Sequence, residues 1–213
     1  MVGLIYNTTM VSEKPDSWSA MWDPKYSGEI LTFNNSRDAF GVAQYLLGYD
    51  VNSTNPDEWR AAEEKLKEQK PLIQSYVMDE VFNKMEAGEA AMAPYYAGDY
   101  LTMKQENDDL AFVYPKEGTN KFVDVMCIPS SSENKKAAEL FINYMCEPEV
   151  ALHNANYLGY LCPVTAVLSD DRYEYKDNEV LYPKQEVKTQ FFHNLDQDTL
   201  DLLSKLWEDL KLA

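Results

Sequence analysis

The sequence predicts an α/β body followed by a helix-dominated portion, and three observations carry that prediction. Short apolar, β-rich runs alternate with runs of helical period from residue 2 to about residue 128. Glycine, proline and Asn/Asp/Ser clusters separate the runs where strand and helix ends require them. From Lys135 onward helical patterns dominate, so residues 1–125 are expected to form one α/β lobe and residues 126–213 a separate portion that must pack on something else.

Val2 to Tyr6 is the first expected strand. Lys14-Pro15-Asp16-Ser17-Trp18 announces a helix, with Asp16 or Ser17 as cap and Trp18 and Trp22 one turn apart in the core. A strand is expected over Glu29 to Phe33, and Asn34-Asn35-Ser36-Arg37-Asp38 then opens a helix that Gly48 stops. A helix N-terminus at the carboxyl end of a strand is where open α/β sheets bind ligands. Asn55-Pro56-Asp57 starts the next helix, through Gln69, with Glu63 and Lys67 spaced for pairing on a solvated face. Strands at Leu72–Val77, Glu89–Tyr95 and Leu110–Tyr114 alternate with helices at Asp79–Ala87 and Tyr100–Glu106. Amphipathic helices are expected at Lys135–Cys146, from Pro148 to about Asn156, and at Asp198–Leu212.

Lys121 to Pro129 reads as a mostly buried strand that sets one carboxylate, Asp124, among Phe122, Val123, Val125 and Met126. An ionised carboxylate out of water costs several kcal/mol unless paired, so Asp124 faces water at a strand end, an internal Lys or Arg, or a cation from outside. Phe122 lies two residues away on the same strand face, an arrangement suited to an organic ammonium.

Composition limits the function classes. With 213 residues, 45% of them hydrophobic, the chain can bury a core, as one large domain or two small lobes. Lys plus Arg number 19 against 36 Asp plus Glu, a net charge of −17, which disfavours nucleic acid as a partner and either attracts a cationic ligand or, more commonly, serves only solubility. No apolar run reaches the ~18 residues of a membrane span. The first residues lack the basic start and cleavage site of a signal peptide, and Met1 is read as a start added to a piece of a longer protein. Cys127, Cys146 and Cys162 allow one disulfide with a free thiol, or three buried thiols. The two histidines, His153 and His193, have no metal-ligand spacing, and no nucleophile elbow, phosphate loop or dinucleotide fingerprint is present. An enzyme is therefore disfavoured, and no cofactor or metal is expected.

An aromatic ring beside a carboxylate or amide recurs at strand ends: Asn35 with Asp38, Tyr96 with Asp99, Phe122 with Asp124, and Tyr160 in its turn. Anions receive ammonium groups, while rings sandwich methylenes and add cation–π attraction of about 0.5–2 kcal/mol per contact. Each also has a plainer reading: Asn35 as a helix cap, Asp99 as a helix-dipole charge, Tyr96 and Tyr160 as core or rim aromatics.

Several segments together resemble the spermidine/putrescine-binding proteins of bacterial polyamine ABC importers. These are Val2-Gly-Leu-Ile-Tyr-Asn7, Lys14 to Trp18, Leu47-Gly48-Tyr49, Gly88-Glu89-Ala90-Ala91, Tyr114-Pro115-Lys116-Glu117-Gly118, Ile128-Pro129, Ala137-Ala-Glu-Leu-Phe-Ile-Asn143 and Leu158-Gly159-Tyr160. The resemblance implies a periplasmic-binding-protein type II fold. Residues 1–125 would be the second lobe, a mixed sheet flanked by helices, and 126–213 the helical C-terminal part of a first lobe whose N-terminal portion is absent. It implies an extracytoplasmic protein, periplasmic or lipid-anchored, that holds a linear polyamine between its lobes and hands it to the permease subunits without chemistry. An alternative is another small cationic or amino-acid-like solute, or a protein-interaction or sensor module. The ligand positions it implies are Asn35, Asp38, Tyr96, Phe122, Asp124, Tyr160 and His193. Asn35 there replaces an acid, Phe122 and Tyr96 replace tryptophans, and His193 replaces a residue that is often glutamine. The missing partner surface around residues 126–163 would favour a dimer.

Overall fold

The computed structural model describes residues 1–212. It divides into two compact units: Met1–Phe122 together with the segment from Glu186 onward, and Val123–Gln185.

In the first unit, the six-residue strand β1 (Val2–Asn7) is buried along its whole length, as its uninterrupted apolar run requires. A 3-10 turn, Trp18–Trp22, follows, capped by the Ser17 side chain, which accepts from the Ser19 amide. Strand β2 (Ile30–Phe33) leads into helix α1 (Ser36–Leu47). Asn35 caps α1 by accepting from the Arg37 and Asp38 amides, and Gly48, at φ 75°, ends it in the left-handed conformation that glycine adopts without strain. Helix α2 (Pro56–Gln69), strand β3 (Ile73–Val77), helix α3 (Glu80–Glu86), strand β4 (Met92–Tyr96), helix α4 (Ala97–Glu106) and strand β5 (Leu110–Val113) complete the alternation. The sheet order is β3-β2-β4-β1-β5. Strand β2 runs parallel to β3 and β4, whereas β1 is antiparallel to β4 and β5, so the sheet is mixed. Gly3 of β1 faces Phe112 of β5 with no room for a side chain: a Cβ there would lie 2.2 Å from Phe112 Cζ.

The main helical core lies between α1 and α2, where Phe40, Ala43, Trp59, Ala62 and Leu66 receive Leu203, Leu206 and Leu210 of the terminal helix α8 (Gln197–Leu212). The tail therefore differs from the expected division at residue 125. Residues from Glu186 onward group with the α/β unit because the apolar face of α8 has its complement there. Glu63 and Lys67 pair at 2.9 Å, but Glu63 is buried rather than solvated.

The stretch from Lys121 to Pro129 is not the buried strand that its composition suggests. Strand β6 (Thr119–Lys121) pairs in parallel with β7 (Thr189–Phe191), and the pairing stops at Lys121. Over residues 122–134 the chain forms no helix or strand, and Val123, Val125 and Met126 are exposed at 67%, 73% and 51%. β-rich side chains make a strand only where a neighbour takes up the backbone N–H and C=O groups, and β7 ends opposite Lys121.

The second unit holds helices α5 (Lys135–Met145), α6 (Pro148–Leu158) and α7 (Thr165–Leu168) around a small core of Ala151, Leu152, Ala155, Val167 and Tyr173. Helix α5 is amphipathic yet buries none of its residues, and Leu140, Phe141 and Tyr144 are exposed. The three cysteines are free, and Cys127 and Cys146 are exposed, so neither expected arrangement occurs.

Candidate functional site

The carboxyl ends of the parallel strands carry the chemistry. Phe33 is the last residue of β2 and Tyr96 the last of β4. The Tyr95 and Tyr96 ring centroids are 4.8 Å apart, each 5.7 Å from Phe33, and Phe122 meets Tyr96 edge-on at 5.2 Å.

Beside this group of rings lies Asp38, in the first turn of α1 and 7% exposed. Its two oxygens have separate partners: Tyr96 Oη donates to Oδ2 at 3.1 Å and Asn120 Nδ2 to Oδ1 at 3.3 Å. Both donors are neutral. The adjacent Arg37 sends its guanidinium elsewhere, to Val51 O at 2.6 Å, Asn52 Oδ1 at 3.0 Å and His193 O at 3.4 Å, with its charge 4.5 Å from the Phe192 ring centroid. It acts on Asp38 only through space. Burial accordingly pushes the Asp38 carboxyl above the usual carboxylate range, against the smaller opposing effects of Tyr96, Asn120 and Arg37. Burial and the Asp38 charge likewise raise the Tyr96 phenol, keeping it a donor. Such a site has an unmet preference for a positive charge, with flat apolar surface adjoining it.

The expected site residues fall into both units. Asn35, Asp38, Tyr96, Phe122 and His193 belong to the first; Asp124 and Tyr160 belong to the second. Asp38, Tyr96 and Phe122 come together. Asn35 serves as the cap of α1, its side-chain oxygen occupied by the Arg37 and Asp38 amides at 2.9 and 3.4 Å. His193 is exposed and contributes its backbone, donating N–H to Asn52 Oδ1 at 2.7 Å. Asp124 is exposed rather than enclosed among apolar neighbours, because the segment carrying it is not part of a sheet. Tyr160 is half-buried just after Gly159, the left-handed residue that ends α6.

Asn120, Phe33 and Arg37 escaped the sequence reading. For Asn120 a signal existed: it stands two residues before Phe122, on the strand face already singled out. An open polar cleft of about 280 Å³ around Lys14, Asp16, Ser17 and Asp23 shares no residue with this site and offers no aromatic surface comparable to it. Among the described residues no cluster of three or more His, Cys, Asp or Glu is placed to hold a metal, and no helix is long and apolar enough to cross a membrane.

A mixed sheet flanked by helices, with an anionic, aromatic-lined site at the carboxyl ends of its parallel strands, defines a lobe of the periplasmic-binding-protein type II class. The chain belongs to the bacterial extracellular solute-binding protein family, whose model matches residues 1–181. It is 32% identical over 170 residues to the spermidine/putrescine-binding periplasmic protein of Escherichia coli K12, covering 80% of this chain and 49% of that one. Spermidine/putrescine-binding periplasmic protein 1 of Haemophilus influenzae is 26% identical over 213 residues, 99% of this chain and 59% of the relative. The crystal structure of the spermidine/putrescine ABC transporter substrate-binding protein PotD from Streptococcus pneumoniae superposes with a TM-score of 0.85 at 31% identity, covering 99% of this chain and 66% of that one. A spermidine/putrescine ABC transporter protein from Listeria monocytogenes gives the same TM-score at 33% identity and the same coverage. The chain thus spans about half the length of the curated E. coli relative and 66% of these solved chains.

Proposed function

We propose that this chain is the greater part of an extracytoplasmic solute-binding protein that captures a linear polyamine, of the putrescine or spermidine kind, and delivers it to the permease of an ABC importer without altering it. The observation that carries this reading is the buried Asp38 carboxylate, bonded among the described residues by two neutral donors and bordered by the rings of Tyr96 and Phe122. An ammonium would supply the missing charge, and the methylenes following it would lie along aromatic faces. The names of the relatives support the same ligand class.

In this reading residues 1–125, joined by the segment from Glu186, make up the second lobe, and the intervening residues belong to the first. Asp124, Tyr160 and His193 are the further ligand positions that the family resemblance implies. The exposed Leu140, Phe141 and Tyr144 of α5 support self-association, which sedimentation would register as a dimer.

Calorimetric titration of putrescine, spermidine and a neutral diol of matching length into the full-length protein tests the assignment. Heat from an amine with none from the diol is the expected result; silence from both amines would reject it.

A further inference from the structure

Asn120 has a specific setting. It is 6% exposed, in the middle of the three-residue strand β6. Its backbone is held in register opposite Gln190 of β7. On one side Thr119 Oγ1 donates to Val2 O at 2.7 Å, tying β6 to the first strand of the main sheet. On the other side, one residue past Lys121, Phe122 rests against Tyr96. Asn120 is therefore fixed between two anchors, and its side-chain amide donates to Asp38 Oδ1, 82 residues away.

We propose that Asn120 is a positioning residue for ammonium binding at Asp38: its amide and the Tyr96 hydroxyl each engage a different carboxylate oxygen, fixing the carboxylate plane and leaving its other lone pairs for the cation. The inference rests on the amine-binding reading. A carboxylate carries about four lone-pair sites on two oxygens. Among the described residues two are occupied, one on each oxygen, by donors from two different elements. Rotation about the Cβ–Cγ bond would break both contacts, so the carboxylate is held before any ligand arrives, and the ligand does not have to order it. The amide also favours the ionised form of Asp38, the one able to receive an ammonium. Arg37 of α1 and Tyr96 at the β4–α4 corner also act on this carboxylate, and its charge in turn raises the Tyr45 phenol of α1.

The test compares wild type, Asn120→Ala, Asn120→Ser and Asp38→Asn in the full-length protein, titrated with putrescine between pH 5 and pH 9. A carboxylate released by Asn120→Ala must be ordered by the ligand itself, and a loss of affinity of about ten-fold is expected at neutral pH. The acid limb of its affinity profile should also move to higher pH, because Asp38 then protonates more readily. Asn120→Ser, which keeps a donor, should recover part of both effects. The carboxyl carbon resonance of Asp38, followed against pH in the ligand-free proteins, should show the same upward displacement in Asn120→Ala. A purely structural role would lower stability without displacing either profile. Wild type silent toward putrescine would be the failure of the amine reading itself. Wild type that binds, with Asn120→Ala unchanged in affinity and in its acid limb, would overturn the inference alone, as would Asp38→Asn binding as tightly as wild type.

Discussion

Replacing Asp38 by Asn should make the ligand-free protein more stable while it weakens amine binding. The carboxylate is 7% exposed, and an ion so placed carries a desolvation penalty of several kcal/mol. Its two hydrogen bonds, at 3.1 and 3.3 Å, are longer than the ~2.7–2.9 Å of strong charge-assisted bonds, so they offset only part of that penalty. The position of Asp38 in the first turn of α1 returns about 0.3–1 kcal/mol through the helix dipole. The remainder is unfavourable, which is why burial raises the carboxyl above its ordinary value. Asparagine has the same shape, still accepts from Tyr96 and carries no charge, and a net gain of about 1 kcal/mol at pH 8 is expected, or about 2–4 °C in Tm for a domain of this size.

The pH dependence fixes the sign. An acid whose folded pKa exceeds its unfolded value holds its proton more firmly when folded, so stability falls as pH rises from the unfolded value through the folded one. The slope due to a single proton is at most about 1.4 kcal/mol per pH unit. Urea unfolding of both proteins at several pH values from 4.5 to 8, plotted as the difference between them, isolates Asp38 from the other acids. A variant less stable than wild type at pH 8, or a difference that does not change with pH, would refute the reasoning.

Three further outcomes follow from the geometry. Gly3→Ala would place a Cβ 2.7 Å from Val113 O, a backbone atom that cannot swing aside, and should cost about 1–3 kcal/mol by urea unfolding. Arg37→Ala removes the bonds to Val51 O, Asn52 and His193 O and should cost about 2–3 kcal/mol, with faster amide exchange confined to residues 190–195; unchanged exchange there would show that Arg37 does not hold the segment. Asp124→Asn in the full-length protein should weaken polyamine binding by about 1.5–3 kcal/mol, and an unaltered Kd would remove Asp124 from the site.

Local chemistry was legible in the sequence wherever it is self-contained. Helix α1 could be read from Asn35 to Gly48 because a cap and a left-handed glycine are properties of neighbouring residues. The alternation that builds the sheet was legible for the same reason. The stretch after Lys121 was not, because a strand exists only with a partner, and side-chain propensity does not say where β7 ends. Helix α8 has an apolar face that any complementary groove could take, so the return of the tail to α1 and α2 could not be seen. Within the site, Phe122 and Asp124 looked like one unit because they are two residues apart. The structure instead joins Phe122 to Tyr96, and Tyr96 to Asp38, across separations that sequence pattern does not encode.

The parallel pairing of β6 with β7 also bears on the order in which the chain folds. Between those two strands lie roughly 70 residues of chain, and closing so long a loop carries an entropic cost that grows with the logarithm of its length. Two strands of three residues each cannot meet that cost while the intervening segment is still a coil. Once the core around Leu152 and Tyr173 has condensed, the effective length of the loop falls, and the pairing becomes affordable. The ribbon therefore closes late, and with it Asn120 reaches Asp38, so the site is among the last features of the molecule to form.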